Sequence, residues 1–117
     1  MAEIILPWPP SVNHYWRTWQ GRTTISRAGR EYRQAVERLV LAYGLQSFGA
    51  NSLAVSIEAR MPDRRKRDLD NLLKAPLDAL THAGLWLDDS QIHDLRITRA
   101  PIVKGGALKI LVEDKTC

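Results

Sequence analysis

The stretch L-A-V-S-I-E-A-R-M-P-D-R-R-K-R-D-L-D-N-L-L-K, Leu53 to Lys74, changes its period in mid-course. Leu53, Val55, Ile57 and Ala59 alternate with Ala54, Ser56, Glu58 and Arg60, the period-two pattern of a strand with one buried face. After Met61 and Pro62 the alternation stops, and the cations Arg64, Arg65, Lys66 and Arg67 run straight into Asp68 and Asp70. A helix is expected to start near Asp68 or Asp70, to bury Leu69, Leu73, Pro76, Leu77 and Leu80, and to close at Gly84. Pro76 is expected to kink it, because proline removes a backbone donor.

The charges in this stretch conflict. A basic run attracts a polyanion, and two aspartates repel it. The conflict disappears if Asp68 and Asp70 hold a divalent cation against a phosphate while the cations hold the rest of the backbone. Side chains two residues apart share one face of an extended segment but lie about 200° apart on a helix, so the pair converges only where a strand or loop enters a helix. Asp70 and Lys74 fall on one helical face at i,i+4. A third carboxylate is available in the turn L-W-L-D-D-S, Leu85 to Ser90, where only one of Asp88 and Asp89 need face the site. Oxygen donors of this kind suit Mg²⁺, whereas zinc would want cysteine or paired histidines, and His14, His82 and His93 form no such pair. Phosphodiester hydrolysis is the reaction class that follows. The competing account makes Asp68 or Asp70 a helix cap, Lys74 a bridge between Asp70 and Asp78, and Asp88 and Asp89 turn formers. Taken singly each residue fits that account; the basic run beside the pair favours function for Asp68 and Asp70 jointly.

Outward from this centre, Glu3 to Leu6 reads as a short strand stopped by Pro7, Pro9 and Pro10. Ser11 to Ile25 has no clean period and mixes His14, Tyr15, Trp16 and Trp19 with Arg17 and Arg22. Trp8, Trp16 and Trp19 are expected to pin an irregular loop onto the core, while Arg17 and Arg22 stand level between a structural role and DNA contact. Ser26 suits a helix N-cap, Tyr32, Val36, Leu39, Val40 and Tyr43 form the apolar stripe that follows, and Gly44 ends it. Arg30, Arg33, Glu37 and Arg38 are expected on the solvated side. Ile92 to Val103 reads as a strand, Gly105 and Gly106 as a turn, and Leu108, Ile110 and Val112 as the returning strand. The expected fold is α+β: a single two-layer domain over residues 1–117, with a small mixed sheet, two main helices and a C-terminal β-hairpin.

Composition sets outer limits. The chain of 117 residues is 44% hydrophobic and 26% charged, ordinary for one globular domain, and its formal charge of +4 leans toward an anionic partner. The sole cysteine, Cys117, excludes an intramolecular disulfide and reads as an exposed tail thiol. No apolar run is long enough to span a membrane, so a cytoplasmic protein is expected.

M-P-D-R-R-K-R-D-L-D-N-L-L-K-A-P-L-D-A-L from Met61 to Leu80, with G-L-W-L-D-D-S-Q-I from Gly84 to Ile92, resembles the RusA family of Holliday junction resolvases. The opening L-P-W-P-P-S-V-N-H-Y-W-R and the late K-G-G, Lys104 to Gly106, are similar to it too. The resemblance implies a homodimeric, Mg²⁺-dependent endonuclease that resolves four-way DNA junctions by paired nicks in recombination and repair, commonly encoded by phages or prophages. It implies metal-binding catalytic carboxylates at Asp68, Asp70 and Asp89, a catalytic lysine at Lys74, and Arg64, Arg65, Lys66 and Arg67 at the rim of the DNA-binding face, with Asp88 a neighbour of less definite role. The subunits of such a dimer are expected to meet through the apolar face of the second helix and the turn beside it. The alternative is a non-catalytic basic protein that binds DNA through Arg64 to Arg67 and the N-terminal Trp/Arg loop.

Overall fold

Alternating apolar residues build the central sheet, and the connections between its strands decide where the charged motif sits. The computed structural model describes residues 1–115, so Cys117 lies outside the described residues. Along the chain run β1 (Ala2–Pro7), one helical turn α1 (Val12–Tyr15), β2 (Trp16–Trp19), β3 (Arg22–Ile25), the long helix α2 (Arg27–Tyr43) and β4 (Leu53–Arg60). A 3₁₀ turn (Leu69–Leu72) then leads into α3 (Lys74–His82), and a second 3₁₀ turn (Asp89–Gln91) leads into β5 (Ile92–Ala100) and finally β6 (Ala107–Asp114).

The main sheet has the order β1-β6-β4-β5, with β6 antiparallel to both neighbours and β5 parallel to β4. A mixed sheet with helices laid against it is the expected α+β architecture. The C-terminal reversal is present too, turning through Gly105 and Gly106 at φ 81° and 71°. It is a split hairpin: β5 and β6 run in opposite directions, but β4 lies between them, so each pairs with β4 and not with the other. Residues 101–106 give the chain room to step over β4, where a two-residue loop would have forced direct pairing.

One face of the sheet carries the core. Ile4 and Leu6 of β1, Leu53, Val55, Ile57 and Ala59 of β4, and Leu108, Ile110 and Val112 of β6 are all buried. Against them lie Tyr32, Val36 and Val40 of α2 and Ala75, Leu77, Ala79 and Leu80 of α3, with Trp86 fully enclosed. Each buried valine, leucine or isoleucine among them contributes about 1.5–3 kcal/mol by leaving water. The edge strand β5 is exposed on alternate and adjacent positions alike, which is why its pattern is imperfect in the sequence.

The helices differ from expectation in two places. Ser26 caps α2 by accepting from the Gly29 N–H at 3.0 Å, and Gly44 ends it in the left-handed region, both as expected. Gly29 itself is required, since a Cβ there would stand 2.5 Å from the Tyr15 carbonyl oxygen. Arg33, however, is not solvated: its guanidinium turns in to Asp78 of α3 at 2.8 Å, and the Tyr15 hydroxyl donates to the same carboxylate. Burial, then the hydrogen bond to Asp78, pushes the Tyr15 phenol far above its ordinary range. Pro76 does not kink α3 either. The helix begins at Lys74, so proline occupies its third position, in the first turn, where backbone N–H groups have no helical partner in any case.

The segment expected to be an irregular loop is an ordered hairpin. β2 and β3 form a separate two-stranded sheet, closed by Gln20 and Gly21 at φ 49° and 74°. Trp8 and Trp16 do pack against the core, but Trp19 is 65% exposed and pins nothing.

Because one half-buried carboxylate ties α1, α2 and α3 together, Asp78→Ala is expected to cost about 2–4 kcal/mol by leaving Arg33 and Tyr15 without their acceptor. Urea unfolding followed by circular dichroism measures this, and a loss under about 0.5 kcal/mol would show the network to be idle.

Candidate active site

Asp68 and Asp70 sit where β4's connection becomes helical. Asp68 is still extended, at φ −82° and ψ 134°, and Asp70 lies in the 3₁₀ turn that follows. Leu69 between them is half-buried while both aspartates are exposed, so the two carboxylates share the solvent side of the turn. Asp68 holds the cap position but its side chain makes no capping hydrogen bond. Among the described residues neither carboxylate has a hydrogen-bond or ion-pair partner. The capping account therefore fails for both.

Lys74 does not bridge Asp70 and Asp78, since Asp78 is taken by Arg33 and Tyr15. Its ammonium instead stands 5.6 Å from the centre of the Trp16 ring, and the Arg33 guanidinium is 6.0 Å from the same ring. Trp16 in turn meets Tyr15 edge-on at 5.2 Å. The indole thus gives Lys74 a seat without neutralising it.

The four cations divide into two kinds. Arg67 is locked: it pairs with Asp63 through two nitrogens at 2.6 and 3.1 Å, lies 5.6 Å from the Trp8 ring centre, and its carbonyl accepts from Arg99 at 2.6 Å. Trp8 packs in turn over Gly106, where a Cβ would stand 2.8 Å from the indole. The opening prolines, the basic loop and the K-G-G turn are therefore one packed unit. Arg64, Arg65 and Lys66 are exposed with side chains that pair with nothing among the described residues. Between Trp8, Pro9 and Ser11 on one side and Lys66, Asp68, Asn71 and Leu72 on the other lies a cleft of about 410 Å³.

Asp89 stands elsewhere. It opens the second 3₁₀ turn, half-buried, beside Asp88. Asp88 is the structural member of that pair: it accepts from the Ser90 N–H at 3.1 Å, and its own N–H donates to Gln91 at 3.0 Å in a capping box. The Ser90 N–H, then the Asp89 side chain, hold its carboxyl below the usual range. Gln91 clamps the turn to the segment before β4, donating to the Gly49 and Asn51 carbonyls at 2.8 and 2.7 Å. The D-D-S-Q spacing from Asp88 carried this signal in the sequence. Asp89 is thus at the start of β4 and β5, whereas Asp68 and Asp70 follow β4's end. Eight residues of strand put these ends on the order of 20 Å apart. Among the described residues no three histidine, cysteine, aspartate or glutamate side chains gather so as to hold a metal. One chain alone supplies two free hard-oxygen donors, the chemistry a divalent cation prefers, but not the third.

A free carboxylate pair beside an open basic surface on a small α+β scaffold is the outline of a DNA-cutting enzyme, an endodeoxyribonuclease. The chain belongs to the family described as Endodeoxyribonuclease RusA, whose model matches residues 7–113. It is 50% identical over 112 residues to the crossover junction endodeoxyribonuclease of Enterobacteria phage 82, a match covering 96% of this chain and 93% of the relative. The Shigella sonnei and Escherichia coli K12 proteins of the same name are 50% and 49% identical over the same coverage. Among the described residues no helix is long and apolar enough to cross a membrane.

The Arg67 guanidinium, then the Arg65 N–H, lowers the Asp63 carboxyl to about 2. Its contribution to the loop is therefore complete above the ordinary carboxylate range, near pH 4, and is lost as pH falls through about 2. A carboxyl-carbon NMR titration is expected to place the Asp63 midpoint near 2 and to move it up toward the ordinary carboxylate range in Arg67→Ala, short of it because the Arg65 N–H still donates. An ordinary midpoint in the unaltered protein would mean that the lock does not form.

Proposed function

We propose that this chain is a one-domain, cytoplasmic endonuclease that resolves four-way DNA junctions as a homodimer, by paired symmetric nicks, in recombination and repair. The observation that carries the reading is the pair Asp68 and Asp70: two exposed carboxylates side by side at the entrance to a helix, with no described protein partner, next to three unpaired cations. A divalent cation held by such a pair would reconcile its negative charge with an anionic phosphate beside it. The crossover junction endodeoxyribonucleases to which the chain is 49–50% identical support the same substrate.

In this reading Asp68 and Asp70 hold a divalent cation, Mg²⁺, whose chemistry is to polarise the phosphodiester and make bound water nucleophilic. Arg64, Arg65 and Lys66 hold backbone phosphates beside the cleft, and Arg67 shapes the loop from within. Lys74, seated on Trp16 and unpaired, is free to meet the negative charge that develops on the phosphate. Asp89 is the third carboxylate, and its separation from the pair within one chain favours its arrival from a second copy. A C₂ dimer does this twice, matching the near two-fold symmetry of a junction. The apolar face of α3 is already consumed by the core, so the contact falls to the turn, where Leu87 is 68% exposed beside Asp88.

Asp70→Asn is expected to lower nicking of a synthetic four-way junction at least about 100-fold while junction binding stays equal or tightens, because a repulsive charge is removed. Mg²⁺-dependent cleavage at the unaltered rate would overturn the carboxylate assignment.

Mixing separates a site within one chain from one shared between two. Heterodimers of Asp70→Asn with Asp89→Asn subunits keep one intact shared site and are expected to regain single nicks, although each homodimer is inactive. If the mixture stays as inactive as its components, Asp89 does not come from the second copy.

A further inference from the structure

The β2–β3 hairpin is not used by the site just described. Its register pairs Trp16 with Ile25, Arg17 with Thr24, Thr18 with Thr23 and Trp19 with Arg22. Alternation then sorts the side chains into two faces. Trp16 and Ile25 share the inner face and pack against the core, while Arg17, Trp19, Arg22 and Thr24 share the outer face and are all exposed. The tight turn at Gln20 and Gly21, both with positive φ, holds Trp19 and Arg22 at the last pair before the tip. The arm's base is anchored by the Ser26 N–H donating to the Tyr15 carbonyl at 2.9 Å, so the outer face has a fixed orientation.

We propose that this outer face is a stacking site for an unpaired nucleobase, with Trp19 beneath the base and Arg17 and Arg22 on the phosphates to either side. The other three tryptophans are buried or half-buried, whereas Trp19 is 65% exposed, and among the described residues no ring or cation stacks on its indole. Neither guanidinium has a described side-chain partner, and the hairpin from Trp16 to Ile25 contains no carboxylate. Two uncompensated cations straddling one bare aromatic ring complement a strand that alternates phosphate and base. The ligand must be unpaired, because a base within a duplex already has both faces covered. A protein partner would want contiguous apolar surface, and the ring's neighbours on this face are Arg17, Arg22 and Thr24. This site rests on the nuclease reading only in taking DNA as the polymer; strand ends and the exchange point of a junction are where such bases occur.

The test is binding of fluorescein-labelled oligo(dT), compared with a duplex of the same length, by anisotropy in EDTA so that no cleavage intervenes. Trp19→Ala is expected to weaken oligo(dT) binding about 5- to 100-fold and leave duplex binding unchanged, and Trp19→Phe to restore most of the loss. Arg17→Ala with Arg22→Ala is expected to weaken both ligands and to flatten the salt dependence for oligo(dT) by about 1.4 in log–log slope. Oligo(dT) binding by Trp19→Ala equal to the unaltered protein, or no oligo(dT) binding by the unaltered protein, would overturn the proposal. A loss on Trp19→Ala in a protein that never cuts junctions would uphold the arm and overturn the nuclease reading.

Discussion

The architecture hangs on β4 having a parallel neighbour on one edge and an antiparallel one on the other. An antiparallel neighbour needs only a turn, but a parallel one needs a crossover that returns the chain to the starting end of the sheet. Here α3 is that crossover, and the residues proposed for the chemistry are attached to its two ends. Asp68, Asp70 and Lys74 gather where it begins, and Asp88 and Asp89 where it has delivered the chain to β5. Among the described residues of one subunit they do not gather into a three-ligand set, which makes assembly part of the chemistry proposed.

The cations around the site are managed by a repeated device. Arg33 and Arg67 each give their charge to one aspartate, Asp78 and Asp63, and each lies over an indole, Trp16 and Trp8. Lys74 has the indole without the aspartate. Arg64, Arg65 and Lys66 have neither, and Asp68 and Asp70 stay separate from all of them. Locking two guanidiniums leaves a few charges, and both signs of them, open to solvent at one place. The net charge of +4 by itself describes none of this sorting.

Much of this was legible in the chain. β4 and α2 read cleanly because each buries one face at a regular period, and the D-x-D-N-x-x-K spacing located the free carboxylates. What escaped has physical reasons. The β2–β3 arm exposes its tryptophan, inverting the usual apolar-in pattern, and its turn is Gln-Gly, with glutamine in a conformation that asparagine usually signals. Pro76 looked like a kink because the position of a helix start, on which its effect depends, is the least certain part of any periodicity. The split hairpin escaped because a turn reports that the chain reverses and not what lies between its arms. Asp89 was singled out by its motif, but residue spacing along one chain carries no information on where a crossover leaves it relative to Asp68 and Asp70.

The position of β6 has a further consequence, for the order in which the protein comes into being. Of the six strands in the described residues β6 is made last, yet it lies between β1 and β4 and supplies Leu108, Ile110 and Val112 to the core. Until it leaves the ribosome, β1 has no partner and β4 presents a bare inner edge. Gly106, on which Trp8 rests, is also still missing, so the packing that arranges the basic loop cannot form. A nascent chain of this design is a nuclease without a finished blade, and its ability to cut arrives only once β6 has joined the sheet.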